Sequence, residues 1–257
     1  MVEIIAHRGA RSLAPENTLA AAMAGFKAGA HSWETDVSLT KDNQLVLFHD
    51  NTLGRCTNGG DHPLSDYSLE QVLKLDAGSH FQQTDPFSTI AAGKVGARDL
   101  EGFRGEKIPT LDQGLALTRQ LNWKVNLELK DHGTEPEKFF LAQKTLEAVE
   151  KSEIDAQQVV ISSFNHEWLE WVRTRTGQIK VQALVGDSMD KGLDFGDFSF
   201  EVYNVNAFMV TGPIMSMLKN KGKQVNLFTV NDPAMAKRFM EIGANGIITD
   251  FPQDIRT

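Results

Sequence analysis

The stretch HSWETDVSLTKDNQLVLFH, residues 31–49, decides the fold of this chain. Two runs within it, 31–37 and 45–49, are rich in β-branched and apolar residues, as is typical of buried strands. The polar link 41–44 can join antiparallel strands, but it is too short for the crossover that a parallel pair requires. We therefore predict that 45–49 is the antiparallel return arm of a hairpin.

Strand-like and helix-like segments alternate along the rest of the chain. The candidate strands are residues 2–6, 31–37, 45–49, 124–129, 158–162, 181–185, 202–205, 224–229 and 246–249. The amphipathic segments between them are residues 17–29, 110–121, 135–152, 165–176, 211–221 and 231–242. This alternation indicates βαβ units in a parallel sheet. Without the return arm, eight parallel strands remain, so we predict an α/β fold of the (β/α)8 TIM-barrel class.

Residue types at the borders of the amphipathic segments support the helices. N-cap residues are expected at Asn17 or Thr18, Thr110, Thr134, Asn165, Thr211 and Asn231. Four glycines stand where helices end, namely Gly29, Gly177, Gly222 and Gly243.

The length of the chain fits one barrel with an insertion. A TIM barrel typically needs about 250 residues, and the 257 residues here predict a single domain over 1–257. Residues 50–109 break the alternation, because they are rich in Gly, Asp and Ser and contain no convincing barrel strand. A loop-rich segment of this length is typically a functional insertion. It follows His49 directly, so we expect it above the same face of the barrel.

Composition excludes several partners and locations. The formal net charge of the chain is −8. Nucleic-acid binding usually requires a basic protein surface, so no nucleic-acid partner is expected. The single cysteine, Cys56, cannot form an internal disulfide. No apolar run is long enough to span a membrane, and a first strand at residue 2 leaves no room for a signal peptide. We expect a cytoplasmic protein without stable membrane association.

Carboxylates stand at the ends of two predicted strands. Side chains two residues apart on a strand share a face, so Glu34 and Asp36 point the same way, as do Asn126, Glu128 and Lys130. Buried strand carboxylates are unfavourable unless they are paired or bound to a cation. Three of them at one end of a barrel predict a Mg²⁺ or Ca²⁺ site. The alternative is structural, with Glu128 paired to Lys130 and Asp36 bound to a loop amide.

Two histidines, His7 and His49, stand at strand ends, where barrel enzymes place catalytic groups. The hairpin is expected to bring Glu34 opposite His49. Hydrolysis of a phosphodiester needs a base for the attacking oxygen and an acid for the leaving alkoxide, and two imidazoles supply both near neutral pH. Arg8 and Lys130 are expected to neutralise the phosphoryl oxygens. These residues predict a metal-dependent phosphodiesterase.

An ordered set of motifs extends nearly from end to end of the chain. It comprises His7-Arg8-Gly9, Pro15-Glu16-Asn17-Thr18, Glu34-Thr35-Asp36, His49-Asp50, Leu127-Glu128-Leu129-Lys130, Thr229-Val230-Asn231 and Gly246-Ile247-Ile248-Thr249-Asp250. Together they resemble the glycerophosphodiester phosphodiesterase family. The resemblance implies a barrel enzyme that hydrolyses small-molecule glycerophosphodiesters to glycerol 3-phosphate and an alcohol.

The resemblance also implies roles for particular residues. It implies metal ligands at Glu34, Asp36 and Glu128, an acid/base pair at His7 and His49, and phosphate contacts from Arg8 and Lys130. Phe228 stands where that family usually has tryptophan, which keeps an aromatic wall for the substrate but removes an indole N–H donor.

Two other functions remain open on the sequence. One is a lysophospholipase D or a phospholipase C-like phosphodiesterase, which should carry exposed apolar residues in 50–109. The other is a catalytically silent barrel that only binds a phosphate ligand. The sequence also leaves open whether water or the 2-hydroxyl of the substrate attacks phosphorus first.

Overall fold

The computed structural model of the protein describes residues 1–256. Its strands are β1 (Glu3–Ala6), β2 (Ser32–Leu39), β3 (Leu45–Leu47), β4 (Val125–Leu129), β5 (Val159–Ser163), β6 (Lys180–Val185), β7 (Val202–Asn206), β8 (Gln224–Phe228) and β9 (Gly246–Thr249). All belong to one sheet, in which β1 pairs in parallel with both β9 and β2. These pairings close eight parallel strands into a barrel and confirm the predicted fold class.

The return arm β3 is antiparallel to β2, as predicted, with Val37 opposite Leu47 and Leu39 opposite Leu45. The expectation that Glu34 lies opposite His49 is wrong. The observed register pairs Leu39 with Leu45, and when it is extended it places Asp50, not His49, across from Glu34. The paired ladder also ends at Leu47, before it reaches His49.

The helices are α1 (Leu19–Lys27), α2 (Leu69–Val72), α3 (Ser79–Thr84), α4 (Ala97–Phe103), α5 (Leu111–Gln120), α6 (Phe140–Lys151), α7 (His166–Arg175), α8 (Gly212–Asn220) and α9 (Pro233–Glu241). Two 3₁₀ turns occur at Leu64–Asp66 and Ala156–Gln158. The longer helices α1 and α5 to α9 follow the predicted amphipathic segments. The short helices α2, α3 and α4 lie in the predicted insertion.

The helix caps follow the sequence at some borders and not at others. Thr18, Thr110 and Asn165 cap α1, α5 and α7 through side-chain bonds to backbone N–H groups. Two predictions are wrong: Phe139 rather than Thr134 precedes α6, and Asp232 rather than Asn231 caps α9. The side chain of Asn231 is instead bonded within the barrel mouth, where Asp250 accepts from its amide nitrogen.

The barrel strands separate two environments. Outward residues of β4, such as Leu127 and Leu129, are buried in the apolar core between strands and helices. The inward residues further round the barrel include buried amides, and Asn226 donates to Asn204 (2.9 Å) and to Gln182 (3.3 Å). The interior of the barrel is therefore partly polar, which allows a polar site to continue into it from the rim.

The insertion 50–109 has apolar clusters of its own. Leu53 and Leu64 pack with Phe48 at the end of the return arm, which anchors the insertion beside the barrel rim. Among the large apolar side chains of this insertion, only Leu73 is exposed. An apolar membrane-facing tip is therefore absent from this part of the described chain. No helix within residues 1–256 has the length and apolar character to cross a bilayer.

Candidate active site

A cavity of about 380 Å³ opens at the carboxyl ends of the barrel strands. Its lining consists of His7, Arg8, Glu34, His49, Asn126, Glu128, Lys130, Ser162, Phe164, Leu184, Gly186, Asp187, Asn206, Phe228, Thr229 and Ile248. Every residue that the sequence analysis assigned to a site is in this lining except Asp36, which is buried beside it on β2. The barrel thus brings together side chains from distant parts of the chain.

Three carboxylates converge beside this cavity. One oxygen from each of Glu34, Asp36 and Glu128 lies within 4.8 Å of the others. The parallel register explains the convergence, because β2 and β4 pair so that Asp36 stands beside Glu128 and Glu34 beside Asn126.

The partners of these carboxylates test the structural alternative. Lys130 does bind Glu128 (2.7 Å), and the Asn17 amide does donate to Asp36 (2.8 Å). These bonds leave Glu34 Oε1 and Asp36 Oδ1 buried without a hydrogen-bond partner. Buried anionic oxygens without donors are unfavourable. A cation that prefers oxygen ligands, such as Mg²⁺ or Ca²⁺, fits this set.

The charge distribution supports the same conclusion. Burial and the neighbouring charges of Asp36 and Glu128 raise the pKa of Glu34 well above its usual range. Burial also raises the pKa of Glu128, and the attraction of Lys130 only partly opposes this. Asp36 differs, because Arg8, His49 and Lys130 together outweigh burial and lower its pKa. The cluster therefore has more negative charge than its own cations neutralise when all three groups are ionised.

Arg8 connects the carboxylates to the rim. Its backbone has a positive φ of 52°, and its backbone N–H donates to Glu34 Oε2 (2.9 Å). Its guanidinium donates to Glu16 (2.7 Å) and lies 3.3 Å from Asp36. The next residue, Gly9, also has a positive φ and lies against the backbone of Ala21, so a side chain there would clash with α1. This turn fixes the guanidinium in the cavity wall.

His7 is oriented by a carboxylate from the other end of the chain. Its Nδ1 lies 2.7 Å from Asp250 Oδ1, just beyond the carboxyl end of β9. A carboxylate acceptor keeps the proton on Nδ1 and leaves Nε2 as the acceptor. Burial lowers the pKa of His7, and the charge of Asp250 opposes that shift in part. His7 is therefore held as a neutral imidazole with one free nitrogen.

His49 is oriented by its neighbour in sequence. Its Nδ1 lies 2.6 Å from Asp50 Oδ1. Arg55, from the insertion, donates to Asp50 (2.6 Å) and also to Glu16 (2.7 Å). One guanidinium thus supports both the carboxylate behind His49 and the carboxylate that holds Arg8.

Aromatic and aliphatic side chains form the remaining wall of the cavity. The rings of Phe164 and Phe228 meet edge to face with centroids 6.0 Å apart. Leu184 and Ile248 are buried beside them in the lining. Phe228 therefore lies in an apolar part of the cavity wall together with a second aromatic ring.

Known proteins of one family share this sequence pattern over almost the whole chain. The model of the Glycerophosphoryl diester phosphodiesterase family matches residues 7–254. A glycerophosphodiester phosphodiesterase from Caldanaerobacter subterraneus is 31% identical over 98% of this chain and 95% of its own. The chain belongs to the glycerophosphoryl diester phosphodiesterase family.

Solved structures of the family share the architecture. A phosphodiesterase from Oleispira antarctica, in complex with the product sn-glycerol-3-phosphate, is 26% identical with a TM-score of 0.80, covering 98% of this chain and 94% of that one. A glycerophosphodiester phosphodiesterase from Agrobacterium tumefaciens is 23% identical with a TM-score of 0.74, covering 99% and 98% of the two chains, and it supports the fold.

Within this family fold, the sequence analysis quoted Glu16, Asp50 and Asp250 in motifs but predicted no supporting role for them, and it did not single out Arg55. Asp250 had a signal, because it follows β9 directly and β9 pairs with β1, whose end carries His7. The contact between Arg55 and Glu16 had no such signal, because it depends on how the insertion folds over the rim. Neither loop contains a periodicity from which that contact could be predicted.

Proposed function

We propose that this protein hydrolyses glycerophosphodiesters to glycerol 3-phosphate and an alcohol, with Mg²⁺ or Ca²⁺ as cofactor. The observation that carries the proposal is the convergence of three carboxylates and two carboxylate-oriented histidines on one cavity. Its similarity to phosphodiesterases, one of them complexed with sn-glycerol-3-phosphate, supports the substrate class. We propose that the barrel and its insertion act as one catalytic domain on this small molecule.

In this proposal Glu34, Asp36 and Glu128 hold the cation. The buried oxygens of Glu34 and Asp36 that lack donors support this assignment. When bound, a divalent cation stabilises negative charge that develops on phosphoryl oxygens. Arg8 and Lys130, which line the same cavity, supply fixed positive charge to the phosphate.

His7 and His49 divide the proton transfers between them. Each has its Nδ1 bonded to a carboxylate, so each presents Nε2 for proton exchange. We assign His7 as the base, because burial keeps its imidazole neutral. His49 is then the acid that protonates the leaving alkoxide, and its partly exposed side chain suits the alcohol side of the cavity.

A product profile tests this function. Purified protein is incubated with glycerophosphocholine, glycerophosphoethanolamine, lysophosphatidylcholine and bis-p-nitrophenyl phosphate, with Mg²⁺ or with Ca²⁺. We expect sn-glycerol 3-phosphate and a free alcohol from the first two substrates. Faster release of choline from lysophosphatidylcholine would support a lysophospholipase D instead. Tight phosphate binding without turnover of any substrate would support the silent barrel.

A further inference from the structure

Two polar side chains at the floor of the cavity have no partners. Asn126 is 4% exposed, and neither its Oδ1 nor its Nδ2 is hydrogen-bonded. Ser162 is 0% exposed, and its Oγ is also unbonded. Both residues line the cavity that holds the histidines and carboxylates. Unlike the deeper amide of Asn226, which donates to Gln182 and Asn204, these groups have no protein partner.

The strand register explains why these groups lie at the floor. Asn126 precedes Glu128 by two residues on β4, so the two side chains share a face and Asn126 lies one step deeper in the barrel. Ser162 on β5 pairs in register with Glu128. The two polar groups therefore flank Glu128, with Asn126 below it on β4 and Ser162 beside it on β5.

The chemistry of this floor fits a ligand with hydroxyl groups. An amide offers donors and an acceptor, and a serine hydroxyl offers one donor and two acceptor positions. A polyol both donates and accepts, so it can satisfy these groups together. Buried polar atoms that lack a partner are unfavourable. A ligand that satisfies them is therefore favoured over an analogue without hydroxyls.

We propose that Asn126 and Ser162 form a hydroxyl-binding floor that recognises the glycerol half of the diester. The inference rests on the proposed function and names the part of the substrate that this floor selects. The glycerol half is common to all glycerophosphodiesters, so it suits the closed end of the cavity. The alcohol varies among them, so it suits the mouth, where His49 and its neighbours are accessible.

The test compares the affinities of sn-glycerol 3-phosphate and propyl phosphate, measured by calorimetry with saturating Mg²⁺. The two ligands share their phosphate and carbon chain and differ in two hydroxyl groups. We expect the wild-type protein to prefer glycerol 3-phosphate about 10- to 100-fold. Ser162→Ala should reduce this preference about 3- to 10-fold, and Asn126→Leu should nearly abolish it.

Ser163→Ala is the matched control. Ser163 is equally buried on the same strand, but its Oγ donates to the Leu129 carbonyl and does not line the cavity. We expect this variant to keep the wild-type preference. An unchanged preference in Ser162→Ala, or an equal change in Ser163→Ala, would overturn the proposal. Equal weakening of both ligands would also overturn it, because that result assigns the groups to the cation site.

Binding and turnover separate this proposal from the proposed function. If the preference for glycerol 3-phosphate depends on Ser162 while no glycerophosphodiester is hydrolysed, the hydroxyl-binding floor is supported and the proposed function is wrong. If hydrolysis proceeds and the wild-type protein does not prefer glycerol 3-phosphate, the hydroxyl-binding floor is wrong and the proposed function is supported. Circular dichroism shows whether Asn126→Leu folds. If it does not fold, the ligand preference of Ser162→Ala alone tests the proposal.

Discussion

The two halves of the cavity wall differ in chemistry although they share one geometry. In the first half, β2 and β4 present Glu34, Asp36 and Glu128 from alternate positions. In the second half, the same alternation presents Ser162 and then Phe164. Glu128 and Ser162 are even neighbours in register across β4 and β5.

Under the proposed function, this difference separates chemistry from recognition. Closure places inward side chains of all strands around one mouth, so the scaffold itself does not distinguish the halves. The charged half can stabilise and transfer charge. The other half, here called the uncharged half, has the exposed Asp187 as its one charged lining residue and can mainly shape the cavity and select substrates. Variants in the first half should therefore change the catalytic rate, and variants in the second should change discrimination between substrates.

The largest effect is expected for Glu128→Gln in the charged half. Loss of one anionic ligand should weaken cation binding and lower kcat/KM about 10³-fold, since metal assistance contributes several kcal/mol. Glu147→Gln, on the exposed face of α6, is the control and should behave as wild type. Full activity of Glu128→Gln at low Mg²⁺ would show that this carboxylate does not hold the cation.

The next largest losses of activity are expected for variants of the two histidines in the cavity. His7→Ala and His49→Ala should each lower kcat about 10²- to 10⁴-fold with the fold intact, because each removes one proton transfer. The exposed His62 provides a control outside the cavity lining. Near wild-type turnover in either cavity variant would defeat the two-histidine mechanism.

A leaving-group comparison sharpens the division between the histidines. A glycerol phosphodiester with a p-nitrophenyl leaving group needs little protonation, so it should restore much of the rate of His49→Ala and little of that of His7→Ala. Release of p-nitrophenol is followed against release of choline from glycerophosphocholine. Equal rescue of both variants would remove the basis for separate roles.

A smaller effect is expected at Asp250, which orients His7. Asp250→Asn should lower kcat about 10- to 100-fold, as loss of an orienting partner typically does. The charge and hydrogen bond of Asp250 raise the pKa of His7, against the lowering by burial. Their removal should lower that pKa further. The acid limb of the kcat/KM profile should then move to lower pH, and a move to higher pH would contradict this arrangement.

The smallest effect is expected in the uncharged half. Phe228→Leu removes the edge-to-face contact with Phe164, which is typically worth about 0.5–1.5 kcal/mol. We expect KM to change about 2- to 10-fold among different alcohol groups while kcat stays nearly constant. Phe26→Leu, on the outer helix α1, is the control. A loss of kcat comparable to that of the histidine variants would erase the distinction between the halves.

The sequence predicts much of this fold because its signals are local. The short polar link after Leu39 requires the hairpin, and the two-residue alternation on β4 places Glu128 and Lys130 on one face. The register of the hairpin could not be predicted, because the polar link does not fix how many residues the turn takes, and a difference of one residue moves every pairing by one.

The contacts that orient the catalytic candidates were less predictable, because they form only when the barrel closes and brings distant parts of the chain together. Asp250 meets His7 across 243 positions of sequence, and Arg55 meets Glu16 through an insertion without periodicity. Asn231 shows the same limit, because its residue type suits a helix cap while the folded barrel bonds its amide to Asp250.

The central claim is that the charged half catalyses hydrolysis with a bound divalent cation. The most direct measurement is the rate of sn-glycerol 3-phosphate release from glycerophosphocholine by metal-stripped protein as Mg²⁺ or Ca²⁺ is restored. We expect a negligible rate in chelator, and a saturable recovery that approaches one cation per chain. An unchanged rate in the presence of chelator would contradict it.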